Sequence, residues 1–216
     1  MPETKTHQPD PKDNLLREVF FDPQVNILIQ KVANCELHKM TGLLDEQQLQ
    51  ECSAAQKLLR TELSQQIKSH FPATEILTPD GVKVTLRTNK YLPEIEEKAD
   101  LEILIRAETR HAFDAVADEQ ELWNNVVKAG LEARKNPTDE NIAKALDCQK
   151  DIHEKAKGFL SDDVQKNDKA VGKLNSMLDS VMEQMVEKSA SKEEATEKAN
   201  LAKRVAKLKP ELVIKG

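Results

Sequence analysis

The chain has 216 residues, of which 38% are hydrophobic, 32% charged and 3% aromatic, and its formal net charge is −6. This length allows one domain or two small ones, with enough apolar surface to bury a core. The scarcity of aromatic residues argues against a ligand cleft walled by aromatic rings. A mildly acidic chain is also not typical of general nucleic-acid binders, which place lysine and arginine against phosphates.

The positions of the nine prolines predict a mainly α-helical fold. Four of them fall within the first 23 residues, and the intervals 24–71, 94–136 and 138–209 contain none. Proline disrupts a helix interior because it lacks an N–H and clashes with the preceding turn. The proline-free intervals are rich in Ala, Leu, Lys, Glu and Gln, which favour helix. The sequence therefore predicts a multi-helix bundle.

The first third of the chain predicts a tail followed by three helices. Residues 1–12 are polar and proline-rich, which favours a flexible N-terminal tail. A short helix is expected over 13–20, and Asp22-Pro23 then resembles a cap followed by proline at the first helical position. That second helix should end at Gly42, and a third should run from about 45 to 69.

Residues 74–88 interrupt the helical pattern and predict one small β-hairpin. Val82, Val84 and Leu86 alternate with polar residues after a Pro79–Gly81 turn. A lone hairpin is marginally stable in water, so its apolar face should pack on the helices. Residues 101–107 fit either a third strand or a helix, and we expect the helix because strong helix formers surround them.

The second half predicts three further helical segments. One should run from His111 to Arg134, and another should begin after a Thr138 cap and end near Leu160. Together with the hairpin, these segments define a predicted helical domain over 13–160. Residues 161–216 then form a long C-terminal amphipathic helix, or a helical hairpin that breaks near Ser189–Ser191. Its apolar positions step by three and four along the chain: Val171, Leu174, Leu178, Val181 and Met185.

Two constellations could hold a metal. Glu108 and His111 have the i, i+3 spacing that di-iron bundles use, but those bundles need the motif twice and two further glutamates. The pairs Cys35/His38 and Cys148/His153 carry zinc-type ligands, yet both lie in predicted helix interiors rather than tight turns. We therefore expect an exposed polar pair at Glu108/His111, no metal site, no cofactor and no catalytic residue.

The three cysteines and the N-terminal sequence were used to predict the cellular compartment of the protein. An odd, sparse set of cysteines without framework spacing predicts a reducing environment and no structural disulfide. The N-terminus has no signal-peptide pattern, and no stretch approaches the roughly 18 apolar residues of a membrane span. These features predict a cytoplasmic protein.

The functional hypothesis is a non-catalytic helical protein–protein interaction module, such as an adaptor, a chaperone or a component of a larger assembly. The alternatives are a metal-binding or enzymatic bundle centred on Glu108/His111, and a nucleic-acid binder that uses the basic C-terminal tail. The expected partner is a protein with an acidic surface, or a second copy bound through the C-terminal helix. The candidate partner-binding residues are the apolar stripe and the basic tail: Val171, Leu174, Leu178, Val181, Met185, Lys198, Lys203, Arg204 and Lys207.

Overall fold

The structure, a computed structural model, describes residues 11–70, 74–77, 79–81, 83–86 and 91–213. The chain is mainly helical, which confirms the predicted class. The helices are α1 (Pro11–Phe21), α2 (Pro23–Met40), α3 (Glu46–His70), α4 (Leu92–Ala117), α5 (Gln120–Lys135), α6 (Asp139–Lys157), α7 (Asp162–Gln165) and α8 (Asp168–Val213). None of the helices in these ranges is long and apolar enough to cross a membrane.

The contacts divide the chain into two compact units, residues 1–110 and 111–216. Helix α4 contributes to both, because it runs through this boundary. The division falls at a different position from the predicted domain boundary between residues 160 and 161, which stays a prediction. Residues 1–10 of the predicted tail lie outside the described ranges.

In the first unit, α1, α2, α3 and the first part of α4 share one apolar core. Asp22 caps α2 as expected: its Oδ1 accepts hydrogen bonds from the backbone N–H groups of Gln24 and Val25 at 2.8 and 3.0 Å. Gly42 follows the end of α2 with φ +68°, the left-handed conformation that glycine adopts without strain. The core residues recur at helical spacing and include Leu16, Val19, Val25, Ile29, Val32, Leu59, Leu63, Ile67, Ile95 and Ile103.

Two antiparallel strands, β1 (Thr74–Leu77) and β2 (Lys83–Leu86), lie between α3 and α4. Ile76 is opposite Val84 in the register. Gly81, in the connection between the strands, has φ +76°. The packing of the apolar face of Val82, Val84 and Leu86 on the helices stays a prediction, since those side chains lie outside the described residues.

Residues 101–107 are helical, as expected, within the 26-residue helix α4. The single helix predicted from His111 to Arg134 is wrong, because α4 ends at Ala117 and α5 begins at Gln120. The carbonyl of Val116 explains how this break is stabilised. It accepts hydrogen bonds from the backbone N–H of Glu119 at 3.0 Å and from the indole N–H of Trp123 at 2.8 Å. A buried indole needs such a partner, and the loop supplies it.

In the second unit, α5, α6 and α8 pack against one another as a three-helix bundle. The Thr138 cap of α6 is confirmed, since its hydroxyl accepts from the backbone N–H of Asn141 at 3.3 Å. Helix α8 is continuous over 46 residues, so the alternative with a break near Ser189–Ser191 is wrong. The core comprises Ala112, Val116, Trp123, Val126, Ala129, Ile152, Ala156, Leu160, Val164, Ala170, Leu174, Leu178 and Met182.

A disulfide joins Cys35 of α2 to Cys52 of α3, so the prediction of no structural disulfide is wrong. The two Cα atoms are 5.7 Å apart, and both side chains are buried. The two positions are nearly equidistant from the middle of the turn between α2 and α3. In an antiparallel helical pair, such positions face each other.

Because the chain contains a disulfide, the inference from cysteine count to a reducing compartment no longer applies. The cytoplasmic localisation stays a prediction.

Replacing Cys35 and Cys52 together with alanine should lower the free energy of unfolding by about 3 kcal/mol, because a disulfide that closes a loop of about 15 residues restricts the unfolded chain by that amount. The change is measured by urea unfolding. Cys148→Ala is the matched control and should have a much smaller effect, since Cys148 is free and only half-buried. Alkylation of the denatured, unreduced protein should modify one thiol; modification of three would contradict the disulfide.

Gly130 of α5 allows a close approach to α8. A Cβ atom built on Gly130 would lie 2.7 Å from Cγ2 of Val186, which is closer than carbon atoms pack. Valine in a helix has one strongly preferred rotamer, so Val186 cannot easily turn away. Gly172 of α8 offers a contrast, because a Cβ there would meet nothing within 4 Å.

Gly130→Ala should therefore be less stable than Gly172→Ala, although both gain helix propensity. We expect Gly172→Ala to raise the free energy of unfolding by about 0.5–1 kcal/mol. Gly130→Ala should fall about 1–3 kcal/mol below it, the usual cost of overpacking. Thermal and urea unfolding measure both. Adding Val186→Ala should remove most of the penalty of Gly130→Ala; equal stabilities of the two glycine variants would contradict the close approach.

Candidate partner-binding surface

The predicted apolar stripe divides into a buried part and a half-buried part. Leu174 and Leu178 are fully buried, and Met182 joins them in the core. Val171, Val181 and Met185 are half-buried. Burying a leucine side chain stabilises the fold by about 1.5–3 kcal/mol. The protein's own bundle therefore uses the first part of the stripe, and Leu174 and Leu178 present no surface to a partner.

Val181 and Met185 instead line a groove of about 400 Å³ in the second unit. The remaining lining residues come from the end of α4 and the start of α5: Phe113, Ala117, Gln120, Trp123 and Asn124. The sequence analysis identified no groove in this region. The i, i+4 spacing of Phe113 and Ala117 places both on one side of α4. However, the groove depends on the break between α4 and α5, which the sequence did not reveal.

The contact between Lys135 and Glu193 is the last described ion pair along α8. Lys135 Nζ at the end of α5 lies 2.6 Å from Glu193 Oε2. The hydrogen bond and the negative charge of Glu193 raise the pKa of Lys135 above its usual value of 10.5. A raised lysine pKa means that the folded protein holds this proton more tightly. The contact is therefore formed at neutral pH and is lost only as the pH rises through that pKa.

Beyond this contact, every side chain from Glu194 to Lys203 is exposed. We call the segment Ser191–Val213 the α8 extension. Lys198 and Lys203 lie on it with exposed side chains, and Leu201 keeps 61% of its surface accessible. The backbone helix continues through Arg204 and Lys207, whose side chains lie outside the described set. Leu201 is one of several large apolar side chains that the described residues expose, so the distinctive feature of this segment is its continuous exposure from Glu194 to Lys203.

Between residues 193 and 209 the charges of the α8 extension are segregated along the helix, whereas Lys192 before this stretch and Glu211 after it have the opposite sign to the neighbouring block. Residues 193–197 contain Glu193, Glu194 and Glu197 and no basic residue. Residues 198–209 contain five basic residues and no acidic one: Lys198, Lys203, Arg204, Lys207 and Lys209. The sequence analysis identified the basic block but gave no role to the acidic block before it.

The pair Glu108/His111 is not the exposed pair that the sequence analysis expected. Glu108 is buried, with 6% of its surface accessible, and His111 is half-buried. The imidazole of His111 meets the ring of Phe159 edge-on, with centroids 6.3 Å apart. Within the described ranges, no group of three or more His, Cys, Asp or Glu side chains could hold a metal ion. The two residues therefore lie in a packed environment rather than on the solvated face predicted for them.

Two of the four zinc-type ligands, Cys35 and His153, are engaged in other contacts. Cys35 has no free thiol, because it is bonded to Cys52. His153 of α6 lies with Nε2 2.8 Å from Asp179 Oδ1 of α8, and Cys148 is half-buried with a free thiol. Zinc binding through both pairs would require a deprotonated thiolate at Cys35. The disulfide excludes that ligand.

No family model, no curated protein and no solved structure matches this chain. The geometry of its own residues is therefore the basis for the functional assignment.

Leu178→Ala and Met185→Ala should separate the core part of the stripe from its accessible part. Leu178→Ala should lower the free energy of unfolding by about 2–5 kcal/mol, because it leaves a cavity in the bundle. Met185→Ala should cost much less, since the half-buried side chain borders an open groove. Chemical denaturation measures both variants. Similar losses in the two would show that Met185 belongs to the core.

Proposed function

We propose that this protein is a non-catalytic helical interaction module and that the α8 extension is its principal binding element. The observation that carries the proposal is the continuous exposure of residues 194–203 on a helix whose first half is anchored in a folded bundle. An adaptor, a chaperone or an assembly component would use such an element in the same way.

The anchoring of the first half of α8 in the bundle favours a binding role for the α8 extension. Residues 168–185 fix the direction of α8 through the buried side chains of Ala170, Leu174, Leu178 and Met182. The helix that continues from them is already formed, so a partner need not supply the free energy of ordering it. Such preorganisation reduces the entropy lost on binding. Leu201 supplies an exposed apolar contact, and the charged blocks on the same segment supply electrostatic steering.

Cutting the chain after Ala190 should leave a folded protein that no longer binds its partner. The cut removes exposed side chains and the ion pair of Lys135 with Glu193, whereas the described apolar core ends at Met182. Circular dichroism and urea unfolding test the folding of the remainder. Affinity purification of the full chain and the shortened chain from the native host, side by side, tests binding. An equal recovery of the same partner by both would place the interface elsewhere.

Point variants sharpen this test without shortening the chain. Leu201→Glu should weaken partner binding at least tenfold, because it introduces a charge into the apolar contact. Leu146→Glu on α6 is the matched control, since Leu146 has nearly the same accessible fraction, 58% against 61% for Leu201. Both variants should stay folded. A loss of binding in the control, or none in Leu201→Glu, would contradict the proposal.

A further inference from the structure

The groove of the second unit has no charged side chain in its lining. Its volume of about 400 Å³ is at the lower end of the range, about 300–1,000 Å³, that holds small molecules. A protein partner needs a much more extensive surface. The lining consists of five apolar side chains and two amides: Phe113, Ala117, Trp123, Val181, Met185, Gln120 and Asn124. A space of this size and composition suits the apolar part of a small ligand.

Helices α5 and α8, which form two walls of the groove, run in the same direction. Gly130 meets Val186, and further along both helices Lys135 meets Glu193. The first of these contacts sets the level of one helix against the other. A residue of α5 is therefore level with the residue of α8 that is numbered 56 higher.

Helix α6 contacts α8 on a different side from the groove. His153 of α6 lies with Nε2 2.8 Å from Oδ1 of Asp179. Asp179 is nearly opposite Val181 around the helix, because two residues turn an α-helix by about 200°. The groove side of α8 is therefore not the side that meets His153.

Two lysines lie at one end of the groove, one on each of these helices. Lys128 follows the lining residue Asn124 by four positions, and Lys188 follows the lining residue Met185 by three. This spacing places each lysine next to the groove on its own helix. Lys128 is level with residue 184, which is four residues, or about 6 Å, before Lys188.

The direction of helical side chains brings both positive charges toward the groove. A side chain on an α-helix leans toward the N-terminus of the helix and covers the preceding turn. Lys128 and Lys188 therefore lean toward the lining residues, whereas Glu121, at the start of α5, leans away from them. Both lysines are exposed, and neither forms an ion pair with a described residue. Their charges are available to a ligand.

We propose that this groove binds the anion of a medium-chain fatty acid, with the alkyl chain against Trp123 and Met185 and the carboxylate at Lys128 and Lys188. The uncharged lining accepts the alkyl chain without leaving a charge unpaired. The lysines attract a negative head group and repel a positive one. The site lies outside the α8 extension, so it is independent of the binding role proposed for that segment.

The fluorescence of Trp123 reports binding, because this residue lines the groove and is the only tryptophan of the chain. Decanoate, added to the full chain below its micelle-forming concentration, should change the fluorescence with one equivalent bound. Decan-1-ol and decyltrimethylammonium have the same chain length and should bind at least tenfold more weakly. From octanoate to decanoate, each added methylene should tighten binding about fourfold. Equal affinities for the three head groups, or no binding of decanoate, would overturn the proposal.

Charge reversal tests the role of the lysines. Lys128→Glu/Lys188→Glu should weaken decanoate binding at least tenfold and leave the binding of decan-1-ol unchanged. Lys144→Glu/Lys150→Glu on α6 changes the net charge of the protein by the same amount and should bind decanoate as the wild type does. Unchanged decanoate binding in the first variant would contradict the assignment of the head group. An equal loss in the α6 variant would show a general charge effect and contradict it as well.

Filling the groove tests the position of the alkyl chain. Ala117 is exposed at the end of α4, so Ala117→Leu places a larger side chain in the groove without entering the core. This variant should lose decanoate binding. Ala143→Leu on α6 makes the same change at another exposed position and should retain it. Urea unfolding verifies that both variants are folded. Decanoate binding that survives Ala117→Leu would place the ligand elsewhere and overturn the proposal.

Discussion

The close approach of α5 and α8 at Gly130 is the constraint on which the second unit depends. Because Gly130 has no Cβ, the side chain of Val186 can pack directly on the backbone of α5. This contact lies between the buried Met182 and the ion pair at Glu193, and no described side chain from Glu194 to Lys203 is covered. The point at which α8 leaves its bundle is therefore set by the length of α5. The same helix stabilises the fold with its first half and presents its second half to solvent.

Much of the fold could be predicted from the sequence because its signals are local. Asp22, Thr138 and Gly42 mark helix ends through side-chain caps and left-handed backbone, which depend only on neighbouring residues. The break between α4 and α5 could not be found in this way. It depends on the indole of Trp123 reaching the carbonyl of Val116, a contact across the loop that helical periodicity does not encode. The disulfide is a similar case, since it requires the pairing of two helices to be known first.

The candidate site was predicted only in part, for the same physical reason. Periodicity identified one side of α8, but periodicity does not say whether that side meets the protein's own helices or solvent. Leu174 and Leu178 lie in the core, whereas Lys198 and Lys203 are exposed, although all four come from the same predicted segment. The prediction for Glu108 was wrong in the opposite direction. This charged residue was expected to be exposed to solvent, but its side chain is buried on α4. Burial is a property of the packed helices and has to be read from them.

The disulfide between Cys35 and Cys52 also changes what a break in the backbone would do. It encloses the connection between α2 and α3, where Thr41, Gly42 and Leu43 are exposed. Exposed connections of this kind are preferred sites of proteolytic cleavage. A protease that cuts there would separate the chain into two peptides that remain covalently joined through sulfur. The nicked protein would keep both helices in place and would come apart on a gel only after a reducing agent is added.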